Sequence, residues 1–91
     1  MNADYLALVV EEAGEVLQAI GKIQRFGPTN WWDKEELTNL EALAYEIGDL
    51  LEVIERLDLP KHLIEAGRRR KRERLKRYGP EIVPSTPDVA H

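Results

Sequence analysis

Apolar residues recur at helical spacing along three stretches of the chain, and two short turn-forming segments separate them. The first stretch has Asn2 or Asp4 as its N-cap and keeps the period to about Arg25, with Leu6, Val9, Ala13, Val16 and Ile20 as its stripe. Phe26-Gly27-Pro28-Thr29-Asn30 ends it, because glycine suits the position past a helix end and proline cannot continue one. Thr38 followed by Glu41 spells a capping box, which marks either a second helix start or a kink in a helix begun near Asp33. That helix reaches about Leu57 and carries a broad stripe through Leu40, Leu43, Ala44, Ile47, Leu50, Leu51 and Ile54. After Asp58-Leu59, Pro60 opens the first turn of a third helix that runs to Tyr78 and stops at Gly79-Pro80. Its seam is thin, consisting of Ile64, Gly67, Leu75 and Tyr78, with Lys71 in line and turned toward the rest of the protein. The pattern predicts an all-α helical bundle with three main helices, spanning residues 1–79. Beyond it, 80–91, with Pro80, Pro84 and Pro87 and no period, reads as an extended or disordered tail.

Composition narrows the class. A chain of 91 residues without cysteine is one small domain with neither a disulfide framework nor thiolate metal sites. No apolar run approaches the ~20 residues of a membrane span, and no secretory leader is evident, so a cytoplasmic protein is expected. The net charge of −4 conceals a division: residues 1–59 hold thirteen acids and four bases, whereas 60–79 hold nine bases and two acids. A cationic helix beside an acidic region suits a ligand that is anionic and metal-bound, such as a phosphate.

The candidate chemistry lies in Glu11-Glu12-Ala13-Gly14-Glu15 and in Glu46-Ile47-Gly48-Asp49. Glu12 with Glu15, and Glu46 with Asp49, are pairs three residues apart, so each pair projects from one helix face within reach of a shared cation. Two such pairs on adjacent helices offer the oxygen donors that magnesium or manganese prefers. At about 100° per residue, Glu12 and Glu15 border the first stripe, while Glu46 projects between Val53 and Leu57 and Asp49 beside Ala42. Carboxylates turned toward apolar neighbours are costly unless paired or ligated. The alternative is a set of boundary acids salt-bridged to the basic third helix. Gly14, between the first two acids, marks either close approach of a helix or ligand, or a tolerated glycine. Trp31 and Trp32 either contact a nucleobase or cap a small core or subunit interface. His62 and His91 read as structural or surface residues.

These motifs resemble the paired ExxE and ExxD signature of the MazG-like nucleotide pyrophosphohydrolases, an all-α superfamily that includes dimeric dUTPases and phosphoribosyl-ATP pyrophosphohydrolases. The similarity extends to Ile20, Lys22 and Arg25 and to Lys71, Leu75 and Tyr78, so it covers most of residues 5–79. It departs from the family in the thirty-residue spacer from Glu15 to Glu46. It departs also in Arg68 to Arg70, which stand where the family's asparagine-containing phosphate motif is sought.

The resemblance implies hydrolysis of a nucleoside triphosphate between its α and β phosphates, giving the monophosphate and pyrophosphate. Glu12, Glu15, Glu46 and Asp49 would hold Mg2+, with Mn2+ as a substitute, and Glu12 or Glu15 would serve as the catalytic base. Lys22, Arg25 and Lys71 would clamp the phosphates; Trp31 is assigned to the base on chemical grounds alone. The implied partners are the nucleotide and further copies of the chain, as a homodimer or a pair of dimers whose first two helices complete a four-helix core. Neither a membrane nor a nucleic acid is expected as a partner. The competing function is a small helical adaptor or nucleic-acid-binding protein that uses the basic third helix.

Overall fold

The computed structural model describes residues 2–30 and 37–80 and is all-helical over them: α1 (Ala3–Phe26), α2 (Asn39–Arg56) and α3 (Lys61–Tyr78). Trp31, Trp32, the 33–36 segment and the 81–91 tail lie outside the described residues.

The local signals place the helix ends. Asn2 caps α1, its Oδ1 accepting the Asp4 amide at 2.8 Å. Gly27 closes the helix with φ of 87°, in the region that favours glycine, while its amide donates to the Ile23 carbonyl at 2.8 Å. At α2 both halves of the capping box form: the Glu41 amide donates to Thr38 Oγ1 at 3.2 Å, and the Thr38 amide donates to Glu41 Oε1 at 2.9 Å. The Thr38 amide bond, followed by the Thr38 side chain, holds the Glu41 carboxyl below its ordinary value. Thr38 is therefore a true helix start. Pro60 sits at the N-cap of α3, one position before the first turn, and Asp58 takes a φ of 54° in the connection.

Only α1 and α2 pack together. The capped end of α2 is stitched to the end of α1: Asn39 Nδ2 donates to the Gly27 carbonyl at 3.0 Å, and the Asn39 and Leu40 amides donate to the Asn30 and Pro28 carbonyls at 2.7 and 2.9 Å. At the opposite end the Arg56 guanidinium donates to Glu52 Oε2 of its own helix at 3.2 Å, and it is held above its ordinary pKa first by the neighbouring Tyr5 hydroxyl of α1 and then by Glu52. The hairpin is antiparallel.

Burial corrects the expected stripe. The α1 face against α2 follows Tyr5, Val9, Glu12, Val16, Ala19 and Ile23, whereas Leu6 and Ile20 are exposed. On α2 the inward line is Asn39, Ala42, Leu43, Glu46, Leu50 and Val53. Among the described residues only Ala19, at 6 % exposure, and Asn39, at 2 %, are fully buried. Helical geometry turns Leu6, Val10 and Leu17 of α1, with Leu40, Ile47 and Leu51 of α2, toward one side of the hairpin. That side is open: Val10 is 74 % exposed, Leu17 70 % and Leu51 60 %. Of the alternatives for Gly14, close approach of a helix does not occur among the described residues of the chain, since a Cβ there would meet nothing within 4 Å.

α3 packs on neither α1 nor α2. Its seam residues Ile64, Leu75 and Tyr78 are exposed, and its ion pairs, Arg72–Glu65 at 2.8 Å and Lys76–Glu73 at 3.3 Å, are internal to the helix. Lys71 is exposed too, so the inward turn expected of it does not occur within one chain.

Two substitutions test the stitched corner. Thr38→Ala removes a cap and should destabilise the fold by about 1 kcal/mol. Asn39→Ala strips the Gly27 carbonyl of its side-chain partner and should cost about 1–3 kcal/mol. In a domain of this size each kcal/mol lowers the melting midpoint by about 4–8 °C, so Asn39→Ala should melt at or below Thr38→Ala in thermal circular dichroism.

Candidate functional site

Antiparallel pairing brings the first acid motif of α1 alongside the second motif on α2. Glu12 lies in the middle of the α1 face rather than on its border, and Glu46 occupies the matching place on α2, because each is flanked one turn away by inward-facing residues: Val9 and Val16, Leu43 and Leu50. Asp49 stands one turn from Glu46. Glu12, Glu46 and Asp49 each offer one carboxylate oxygen such that the three lie within 4.8 Å of one another. Glu12 and Glu46 are half-buried, and Asp49 is exposed.

Three carboxylates at this separation repel one another. The Glu12 carboxyl is held above its ordinary value of 4.5, first by loss of hydration against the neighbouring helix and then by the negative charges of Asp49, Glu46, Glu11 and Glu15. A hard divalent cation accepts this donor set. Carboxylates would be its oxygen ligands, its charge would offset the repulsion, and one exposed member would leave the site open to solvent and ligand.

Glu15 is not part of this trio. It lines a cleft of about 120 Å3 that begins at Glu46 and continues along the hairpin past Gln18, Lys22, Ala42 and Asn39. The cleft and the acid trio occupy the side of the hairpin away from the open apolar side. A ligand lying along this groove would touch the carboxylates at one end and the Lys22 ammonium and the Gln18 amide at the other. Arg25, exposed on α1, is one turn beyond Lys22 and outside the cleft lining. Lys71 is not brought to the acids, since α3 packs on neither helix of the hairpin. Trp31 lies outside the described residues.

Gln18 and Asn39 are the two polar cleft residues that the sequence reading missed. For Asn39 a signal existed: a helix-disfavouring amide directly after the Thr38 cap is explained when its side chain has a partner elsewhere, here the Gly27 carbonyl. Gln18 carries no such signal, because its position looks like an ordinary solvent face until α2 is in place.

Comparison with protein-family models, with curated proteins and with solved structures gives no match to this chain. The site therefore stands on its own geometry.

The raised Glu12 carboxyl fixes a pH dependence. Its contribution to folding is fully present below 4.5 and is lost as the pH climbs through the raised native value, because the folded state then loses a proton that it binds more tightly than the unfolded chain does. At pH 7 in EDTA, Glu12→Gln should therefore melt higher than the wild type. Magnesium should raise the wild-type midpoint and move the variant less. Equal responses of the two proteins to magnesium would remove Glu12 from the site.

Proposed function

We propose that this chain is a metal-dependent nucleoside triphosphate pyrophosphohydrolase of the MazG-like type. The observation that carries the reading is the convergence of Glu12, Glu46 and Asp49, from two motifs on two helices, to within 4.8 Å. Carboxylates at three-residue spacing are common on helix surfaces, whereas two such motifs meeting across a helix seam supply the donor set that the chemistry needs.

In this reading Glu12, Glu46 and Asp49 hold Mg2+, and Mn2+ can replace it. The ion, when bound, neutralises phosphate charge and acidifies water. Glu15 stands outside the trio but on the same groove, and it serves as the general base. Water cleaves the bridge between the α and β phosphates, its proton passes to the Glu15 carboxylate, and the monophosphate and pyrophosphate leave. Lys22, at the far end of the cleft, pairs with the polyphosphate, and Arg25 adds a second cation one turn on. Lys71 and Trp31 are retained in this proposal as a phosphate contact and a base contact, respectively. Lys71 can take that role only if α3 reaches the groove of a second copy.

The same reading makes the protein a homodimer, able to pair again into a tetramer. The open apolar side of the hairpin supports this: two copies placed face to face bury Val10, Leu17, Ile47 and Leu51 in a four-helix core that one chain lacks. Nothing in this arrangement involves a lipid, and no described helix is long and apolar enough to cross a membrane.

Two experiments test these proposals. Pyrophosphate release from a panel of ribo-, deoxy- and modified nucleoside triphosphates should require magnesium or manganese. It should fall about 100-fold or more in Glu46→Gln, the rate equivalent of losing several kcal/mol of charge stabilisation. No release across the panel from folded, magnesium-loaded protein would refute the hydrolase. In sedimentation at micromolar concentration the wild type should run as a dimer or larger, and Leu17→Asp should dissociate it with loss of helix signal. A folded wild-type monomer would refute the oligomer.

A further inference from the structure

The hydrolase reading uses at most one cation of α3, yet residues 68–77 hold eight in ten positions. Over a helix that is about 15 Å of axis and one positive charge per ~1.9 Å, close to the one negative charge per ~1.7 Å along duplex DNA. The hairpin acids do not neutralise this run, because α3 packs on neither α1 nor α2. Only Arg72 and Lys76 are ion-paired among its described residues, each to a glutamate of its own helix.

The arrangement around the helix is as informative as the density. The seam of Ile64, Gly67, Leu75 and Tyr78 occupies one side. By helical geometry Arg68 and Arg72 flank it to one hand and Arg70 and Arg77 to the other, while Arg69, Lys76 and the Glu73 that Lys76 pairs with point away from it. All six cations are exposed. An interfacial membrane helix needs a broad apolar face to bury, and this seam, with Gly67 and Lys71 among Ile64, Leu75 and Tyr78, offers little, so a lipid surface fits poorly. A helix with cations on both flanks fits a duplex groove instead. Its diameter of about 10–12 Å matches the ~12 Å major groove of B-form DNA, and the two flanks then face the two phosphate walls. Six of the eight cations are arginines, whose forked guanidinium matches phosphate oxygens in pairs.

We infer that α3 is a duplex-DNA-binding helix that lies in the major groove with Arg68 and Arg72 on one phosphate wall and Arg70 and Arg77 on the other. This goes beyond the hydrolase reading, which expects no nucleic-acid partner, and gives a definite form to the competing nucleic-acid reading that the sequence left to the third helix. The seam faces away from the DNA, so it stays free to pack on protein. The inference depends on the charge and shape of α3 alone and stands whether or not the acid trio hydrolyses nucleotides. The narrow, deep major groove of A-form RNA does not admit such a helix, so double-stranded RNA is the weaker ligand.

Fluorescence anisotropy of the full chain with a labelled 20-base-pair DNA duplex tests it. Four phosphate contacts predict a log–log salt slope of about −3.6, a loss of affinity of about 150-fold between 50 and 200 mM KCl. The Arg68→Glu/Arg70→Glu/Arg77→Glu variant should bind at least about 100-fold more weakly at the lower salt. The corresponding lysine variant should bind within a few-fold of wild type, and this comparison decides the matter if the glutamate variant loses helix. Absence of duplex binding at the lower salt, binding without a salt slope, or full binding by a folded glutamate variant would overturn the inference. So would tighter binding to single strands or to phosphatidylserine vesicles than to the duplex. Salt-reversible self-association without DNA binding would overturn it too, and would assign the cations to a second copy of the chain.

Discussion

The arrangement of this protein turns on two carboxylates, Glu12 and Glu46, placed along the line where two helices pack. A helix seam is normally the most apolar part of a hairpin, since burial of apolar surface is what drives the packing. Here the central positions of both inward faces are acids, and Asp49 adds a third charge within 4.8 Å. Part of the seam is therefore held open to water instead of closing as a core, and the neighbouring cleft lined by Glu15, Gln18, Lys22 and Asn39 follows from that opening.

A seam that forgoes apolar packing must be held by other means. The hairpin is stitched at its turn by the Asn39 side chain and the Asn39 and Leu40 amides, and at its other end Arg56 of α2 lies beside Tyr5 of α1. Between these ends the apolar residues are displaced to one side, where Val10, Leu17 and Leu51 meet solvent in a single chain. The division gives the hairpin two unlike sides, one acidic and grooved, the other apolar and exposed. The proposed oligomer and the proposed site therefore do not compete for surface.

The third helix obeys a different constraint. Its cations are too many and too evenly spread to be matched by the two glutamates it carries, and its seam is too thin to hold it against the hairpin by apolar contact. Its polarity argues for a partner outside the chain's own core.

Much of this was legible in the residues. Asn2, Gly27, the Thr38–Glu41 box and Gly79 set the helix ends through bonds made within a few residues, which is why sequence alone could mark them, although it left open whether Thr38 starts α2 or kinks a helix begun near Asp33. The three-residue spacing of each acid pair is also local, so the candidate site could be named from it. Spacing along a helix gives only a direction, however, and choosing the inward direction requires the partner helix. That choice moved Glu12 from the edge of a stripe to the centre of the seam. It left Leu6 and Ile20 outside, separated Glu15 from the trio, and drew Gln18 and Asn39 into the cleft. Tertiary structure decided these points because they depend on which faces of α1 and α2 meet, and contacts made across the loop leave no periodic trace in either helix. It decided the place of Lys71 for the same reason: a seam position orients a side chain toward a neighbour only when the neighbour is there, and within one chain α3 has none.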